Sequence, residues 1–253
     1  MESIERITRS LYIPPKKSRK GMNGKLLIVG GSRQYHGAPM LSIIAARRFV
    51  DLVSFYPPDR DILLIRAVKT IPEVIVKRSA PKPEEYDCVL FGVGLGKARY
   101  PLGALAKAKR AVIDADGLRR VKGKIPKGCI LTPHEGEFKM LFGKEGTKKN
   151  VKEMAKKHSC IILKKGHVDI ISDGKRTLLN KVHNEGMTRG GTGDVLSGLV
   201  AALFCKNPAF ESAAAAAYLN GVAGNLAKKE HGLNFCASDV ADNLSIALRK
   251  AKA

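Results

Sequence analysis

The chain has 253 residues, 44% of them hydrophobic, which suits one large α/β domain with an extensive core. It carries 45 Lys plus Arg against 23 Asp plus Glu, a formal net charge of +22 that attracts polyanions. No apolar stretch approaches the roughly 20 residues of a membrane span, and the acidic start M-E-S-I-E-R-I fits neither a secretory nor a mitochondrial signal, so a soluble cytoplasmic protein with no membrane partner is expected. Nucleic acid is not the expected partner either. The basic run R-R-V-K-G-K-I-P-K at 119–127 would suit it, but aromatics are only 6%, Trp is absent, and no aromatic-interleaved or zinc-finger pattern occurs. The five cysteines lack C-x-x-C spacing and fall mostly in apolar runs, which predicts buried free thiols rather than disulfides or a zinc site.

In chain order, K-L-L-I-V at 25–29 reads as a buried strand ending in Gly30 and Gly31, followed by a helical pattern from Pro39 through Phe49. D-C-V-L-F at 87–91 is a second strand, ending in G-V-G-L-G. A-V-I-D-A-D-G at 111–117 places two carboxylates at a strand's carboxyl end, and C-I-L-T-P-H-E-G-E at 129–137 repeats the design with a helix following. C-I-I-L-K-K-G at 160–166 leads to a shorter apolar run, V-D-I-I. The glycine-rich stretch M-T-R-G-G-T-G-D at 187–194 then opens a helix, and an alanine-rich helix around 211–229 and a last helix from about Ser238 complete the chain. Strand, glycine-rich turn and helix alternate throughout, the pattern of a parallel sheet flanked by helices, read here as a single domain over residues 1–253.

Polar and glycine residues cluster just after the strands, where ligands bind in open α/β sheets. The G-V-G-L-G stretch lacks the third spaced glycine of a dinucleotide fingerprint, and no G-x-x-x-x-G-K-[ST] phosphate loop occurs. G-G-T-G-D at 190–194 is a different kind of anion hole, in which bare amides at a helix start face a phosphate. A carboxylate beside that anion suits a base that takes a proton from an attacking hydroxyl, which points to phosphoryl transfer onto an alcohol. The simpler reading makes Asp194 the N-cap of the helix. Asp114 and Asp116, spaced i and i+2, would share one side if the strand continues, as a paired-carboxylate metal site, or else belong to ordinary turn chemistry.

Six ordered blocks go further: G-G-S-x-x-Y-x-G-A at 30–38, G-V-G-L-G at 92–96, D-A-D-G-L at 114–118, L-T-P-H-E-G-E at 131–137, K-K-G at 164–166 and N-E-G-M-T-R-G-G-T-G-D-V-L-S-G at 184–198. Over about residues 20–250 the chain thereby resembles the nucleotide-dependent NAD(P)H-hydrate dehydratases of the ribokinase-like superfamily. The resemblance implies an α/β three-layer sandwich with a large, mostly parallel central sheet. It also implies repair of the 6S epimer of hydrated NADH or NADPH: the ring 6-hydroxyl is phosphorylated and phosphate is eliminated, with ADP the expected donor, ATP the alternative, and Mg2+ the cofactor.

The same resemblance makes Asp194 the base and places Ala38, Gly94, Gly96 and His134 with it at the hydrated dinucleotide. Lys165, Gly166, Gly191, Thr192 and Gly193 fall at the nucleotide, and Glu137 would hold magnesium through water. His134 and Glu137 also have the spacing of a helix cap. Val93, Gly117, Glu135 and Asp169 depart from the commoner family pattern, and Asp169 would sit near phosphates. A homo-oligomer is implied, a tetramer being one form, as is a separate epimerase, since only about twenty residues precede K-L-L-I-V. The competing reading is a ribokinase-like kinase of a small alcohol such as a hydroxymethylpyrimidine or hydroxyethylthiazole.

Overall fold

A computed structural model describes residues 3–252. Helix α1 (Ile4–Arg9) precedes strand β1 (Lys25–Val29), after which come α2 (Gly37–Ala46), β2 (Leu52–Tyr56), α3 (Ile62–Val68), β3 (Val74–Val76), β4 (Cys88–Phe91) and the short α4 (Leu102–Leu105). The middle of the chain forms β5 (Ala111–Ile113), α5 (Asp116–Arg120), β6 (Ile130–Leu131), α6 (Glu135–Phe142), α7 (Lys148–His158) and β7 (Ile161–Lys164). A hairpin of β8 (Asp169–Ser172) and β9 (Thr177–Asn180) leads to α8 (Thr192–Phe204), α9 (Ala209–His231) and α10 (Ala237–Lys252).

The strands form one sheet in the order β3-β2-β1-β4-β5-β6-β7-β8-β9. Every pair from β3 across to β7 is parallel, and β7-β8 and β8-β9 are antiparallel. Successive side chains point to opposite faces, so each central strand feeds two cores. Leu26 and Ile28 of β1 join Cys88 and Leu90 of β4 against α2, α8, α9 and α10. Leu27 and Val29 join Val89 and Phe91 on the other face, under Leu118, Phe138 and Val151 of α5, α6 and α7. This three-layer arrangement explains why the strands read as continuous apolar runs. Cys88, Cys129, Cys160 and Cys205 are buried free thiols, and Cys236 is free and exposed. No helix among the described residues is long and apolar enough to cross a membrane.

Strand β1 lies between β2 and β4, so its outgoing loop and that of β4 part at a topological switch point, the position at which α/β sheets open a crevice. Gly30 lets the two loops touch, since a Cβ there would strike the Val93 carbonyl. The structure adds β2, α3 and β3, which the sequence reading did not identify, and the β9 arm of the hairpin. Of the two readings of Asp114 and Asp116, it favours turn chemistry over a shared side. Strand β5 stops at Ile113, Ala115 turns the chain with φ +50, and Asp116 already begins α5.

Helix α2 crosses α8 where Gly198 meets Ser42, and a Cβ on Gly198 would drive into the Ser42 backbone. A Gly198→Ala substitution is therefore expected to cost about 1–3 kcal/mol through overpacking. Gly103→Ala in α4, with nothing within 4 Å of its added Cβ, should be neutral or stabilising by up to about 1 kcal/mol. Denaturant melts of the two variants beside the parent check this.

Candidate active site

The start of α8 is held open by its neighbours. Gly191 is the N-cap with φ +96 and makes no side-chain cap, and its bare Cα fits beneath Leu41, which a Cβ would strike. The first-turn amides of Thr192, Gly193 and Asp194 have no acceptor within the helix, a property of any α-helix N-terminus. The Thr192 hydroxyl donates to the carbonyls of Met187 at 2.8 Å and Arg189 at 3.0 Å, and its amide donates to the same Arg189 carbonyl at 3.4 Å, so this residue fixes the incoming loop and the open first-turn amides are those of Gly193 and Asp194. Asp194 is the third residue of α8, so the N-cap reading of this residue gives way to Gly191. The Asp194 carbonyl accepts from the Ser42 hydroxyl at 2.9 Å, which ties the α8 start to α2.

Lys165 follows β7, and its Nζ donates to Asp114 Oδ1 at 2.8 Å. Asp114 is 1% exposed, at the carboxyl end of β5. A Cβ on Gly193 would come within 3.4 Å of the same Nζ, so the ammonium lies directly under the α8 start. Burial works to lower the Lys165 pKa, but the carboxylates of Asp114, Glu137 and Asp194 outweigh it and hold the amine charged. Asp194 responds in the opposite sense. Burial first, then the charges of Asp114 and Glu137, push its carboxyl up to about 7 against the pull of Lys165. A carboxyl poised near neutrality suits general-base work.

Helix α6 begins with a reciprocal capping box. His134 Nδ1 accepts from the Glu137 amide at 3.2 Å, and Glu137 Oε2 accepts from the His134 amide at 2.9 Å. The same two residues face the crevice. Glu135, where the commoner family pattern has Pro, accepts from the Gly146 amide at 2.7 Å and pairs with Lys164 at 2.9 Å, so it anchors the loop after α6. Asp169 lines the same cavity as Lys165 and Gly193, and its side chain is engaged within its own loop. It accepts from the Gly166 amide at 3.0 Å and from Asn180 Nδ2 at 3.0 Å, closing the turn, and burial raises its pKa.

Three cavities meet around these groups. One of about 510 Å3 holds Lys165, Gly166, Thr192 and Gly193 together with His134, His167 and His183, a size that suits a nucleotide. A second of about 310 Å3 lies between Asp116, Arg119, His134 and Glu137. A third of about 710 Å3 runs along Ser32, Tyr35, Gly96 and Arg119. His134 borders the first two, and Asp116 borders the last two, its Oδ2 accepting from the Gly96 amide at 2.7 Å. Gly94 has φ +59, and a Cβ on it would lie 2.9 Å from the Tyr35 carbonyl and 3.1 Å from Ala38 Cβ. The small residues at 94 and 38 thus let two loops close on each other. Ser42 and the histidines at 167 and 183, whose rings meet edge to face at 5.2 Å, were missed from sequence, because none stands in a glycine- or carboxylate-rich motif.

Removing one partner of the Asp114–Lys165 pair strands the other, and Lys165→Met should cost about 3 kcal/mol of stability. The double variant Asp114→Asn/Lys165→Met should cost less than the sum of the two single changes, read from urea melts as a double-mutant cycle.

A family model described as NAD(P)H-hydrate dehydratase matches residues 26–245. The chain is 42% identical to the ADP-dependent (S)-NAD(P)H-hydrate dehydratase of Cenarchaeum symbiosum, with 92% of each covered. It is 37% identical to a bifunctional NAD(P)H-hydrate repair enzyme of Archaeoglobus fulgidus, spanning 93% of this chain and 53% of that one. The crystal structure of the ADP/ATP-dependent NAD(P)H-hydrate dehydratase from Bacillus subtilis, co-crystallized with ATP and Mg2+, superposes with a TM-score of 0.87 at 25% identity, covering 98% of this chain and 97% of that one. The motifs, the three-layer ribokinase-like fold and these likenesses agree, and the chain belongs to the NAD(P)H-hydrate dehydratase family.

Proposed function

We propose that the protein uses ADP to dehydrate the S epimer of hydrated NADH or NADPH, with Asp194 as the base and the α8 amides as the phosphoryl cradle. The observation that carries this is the placement of a carboxyl with a pKa of about 7 at an uncapped helix start, under which a charged Lys165 is locked in place. ADP would lie in the cavity of about 510 Å3, its terminal phosphoryl against the α8 start at Gly193 and its charge met by Lys165. The hydrated ring would enter from the side of Ala38, Gly94 and His134.

The ring hydroxyl oxygen attacks the terminal phosphorus, the bond to AMP breaks, and Asp194 takes the hydroxyl proton. Phosphate is a far better leaving group than hydroxide. The ring nitrogen lone pair expels it from the adjacent carbon, and loss of a proton from the next carbon restores the double bond. The products are the dihydronicotinamide, AMP and inorganic phosphate.

Among the described residues no group of three or more His, Cys, Asp or Glu is arranged to hold a metal ion. What the site offers is the hard carboxylate of Glu137 on the wall of the smaller cavity, which fits a magnesium ion that arrives on the nucleotide phosphates and keeps most of its waters. When bound, magnesium would neutralise phosphate charge, and Glu137 would hold it through water. The epimerase that supplies the S form would be a separate partner, and the cytoplasm, where the dinucleotides are used, would be the working compartment.

The test follows the near-ultraviolet absorbance of the dihydronicotinamide when protein meets NADH hydrate and magnesium with ADP, ATP or neither. A rise that requires nucleotide supports the reading; no rise with either donor sinks it and directs attention to small alcohols as kinase substrates. Asp194→Asn should lower turnover by about a hundredfold or more with little change in ADP affinity. Turnover of the parent should climb with pH through about 7 as Asp194 ionises, and this limb should vanish in the variant. Stability runs the other way. A carboxyl whose folded-state pKa is raised stabilises the fold below its unfolded pKa and loses that contribution as pH passes its folded value. The Tm of Asp194→Asn should therefore gain on the parent above about pH 7 and not below about pH 4.

A further inference from the structure

The largest of the three cavities is lined by cations that the reaction at Asp194 does not use. Arg33 reaches it from the loop after β1, Lys97 and Arg99 from the loop after β4, and Arg119 from α5. All four are exposed, and among the described residues none has a carboxylate within ion-pair distance of its side chain. The two carboxylates in the same cavity are committed to backbone: Asp59 accepts from the Arg33 amide at 3.1 Å, and Asp116 from the Gly96 amide at 2.7 Å. Ser32, also in the lining, keeps a buried hydroxyl with no hydrogen-bond partner.

The cations fall into two groups. Arg119 lines both this cavity and the smaller one that reaches His134, so it stands on the path from the reacting ring to the outer cavity. A dinucleotide that passes along this path brings its pyrophosphate to Arg119 and carries its adenosine outward. Arg33, Lys97 and Arg99 line the outer cavity and not the smaller one, and they remain for a second, separate anion. A phosphate monoester carries nearly two negative charges near neutrality and three acceptor oxygens, and guanidinium forks match that geometry.

We propose that this cavity receives the adenosine 2′-phosphate of the substrate, so that the protein selects NADPH hydrate over NADH hydrate; the inference rests on the dehydratase reading above. An arginine beside the ribose is a known solution to 2′-phosphate recognition in other folds, and here three cations from two loops share the task.

The experiment compares kcat/KM for NADPH hydrate and NADH hydrate, with ADP as donor, in the parent and in the double variant Lys97→Ala/Arg99→Ala. Calorimetric titrations with NADP+ and NAD+, which need no turnover, run alongside. The parent should favour NADPH hydrate by about tenfold or more, the value of one charge-assisted contact. The double variant should lose that preference by slowing with NADPH hydrate alone, while NADP+ loses its advantage over NAD+. Equal kcat/KM for the two hydrates in the parent would overturn the proposal. So would a variant slowed equally with both, which would give these cations to the shared pyrophosphate. No turnover of either hydrate would sink the dehydratase reading instead, and the NADP+ and NAD+ titrations would then decide for or against the phosphate site.

Discussion

One ammonium group holds the site together. Lys165 follows β7, Asp114 follows β5, Glu137 sits in the first turn of α6 and Asp194 in the first turn of α8, so one cation meets carboxylates from three other elements. Three ionised carboxylates around a single buried cation would leave a net negative interior, a state that low dielectric penalises. The fold relieves this by giving Lys165 to Asp114 at 2.8 Å and leaving Asp194 the group that holds on to its proton. The raised pKa of Asp194 is thus a product of the pairing, since a carboxyl with its own counter-charge would ionise far lower.

The layers serve that cluster. The crossing of α2 and α8 at Gly198 brings Ser42 close enough to bind the Asp194 carbonyl, so the apolar layer on one face of the sheet sets the position of Asp194. On the other face, α6 starts with a capping box whose two side chains also border the cavities. His134 forms part of the wall of both the cavity of about 510 Å3 and the one of about 310 Å3, so the two share a boundary that one helix N-terminus defines.

Much of this was legible in the sequence, for physical reasons that differ by residue. Buried parallel strands announce themselves as unbroken apolar runs, and K-L-L-I-V, D-C-V-L-F and C-I-I-L were each located within a residue or two. The short strand β3 at the sheet edge escaped, because three residues carry no period of their own and only pairing with β2 makes them a strand. The His134–Glu137 cap could be read from its i, i+3 spacing. Asp114 and Asp116 could not be separated, because the turn at Ala115 takes a positive φ that no neighbouring residue type demands. The partner of Lys165 lies 51 residues away in sequence, a distance at which local pattern is silent, so its charge was read as free for a phosphate.

The two borders of the sheet have a consequence for how copies of the chain meet. Strand β3 at one border is followed at once by Lys77 and Arg78, and β9 at the other is followed at once by Lys181. Cations that flank an unpaired ladder act as gatekeepers, because a second chain must bring its own like charges alongside to extend the sheet. With the whole molecule strongly positive, continuous cross-molecule ladders are disfavoured even though both borders are open. The sheet borders are thus poor places for a second copy of the chain to dock, and any contact between copies is better made through the helical layers and loops.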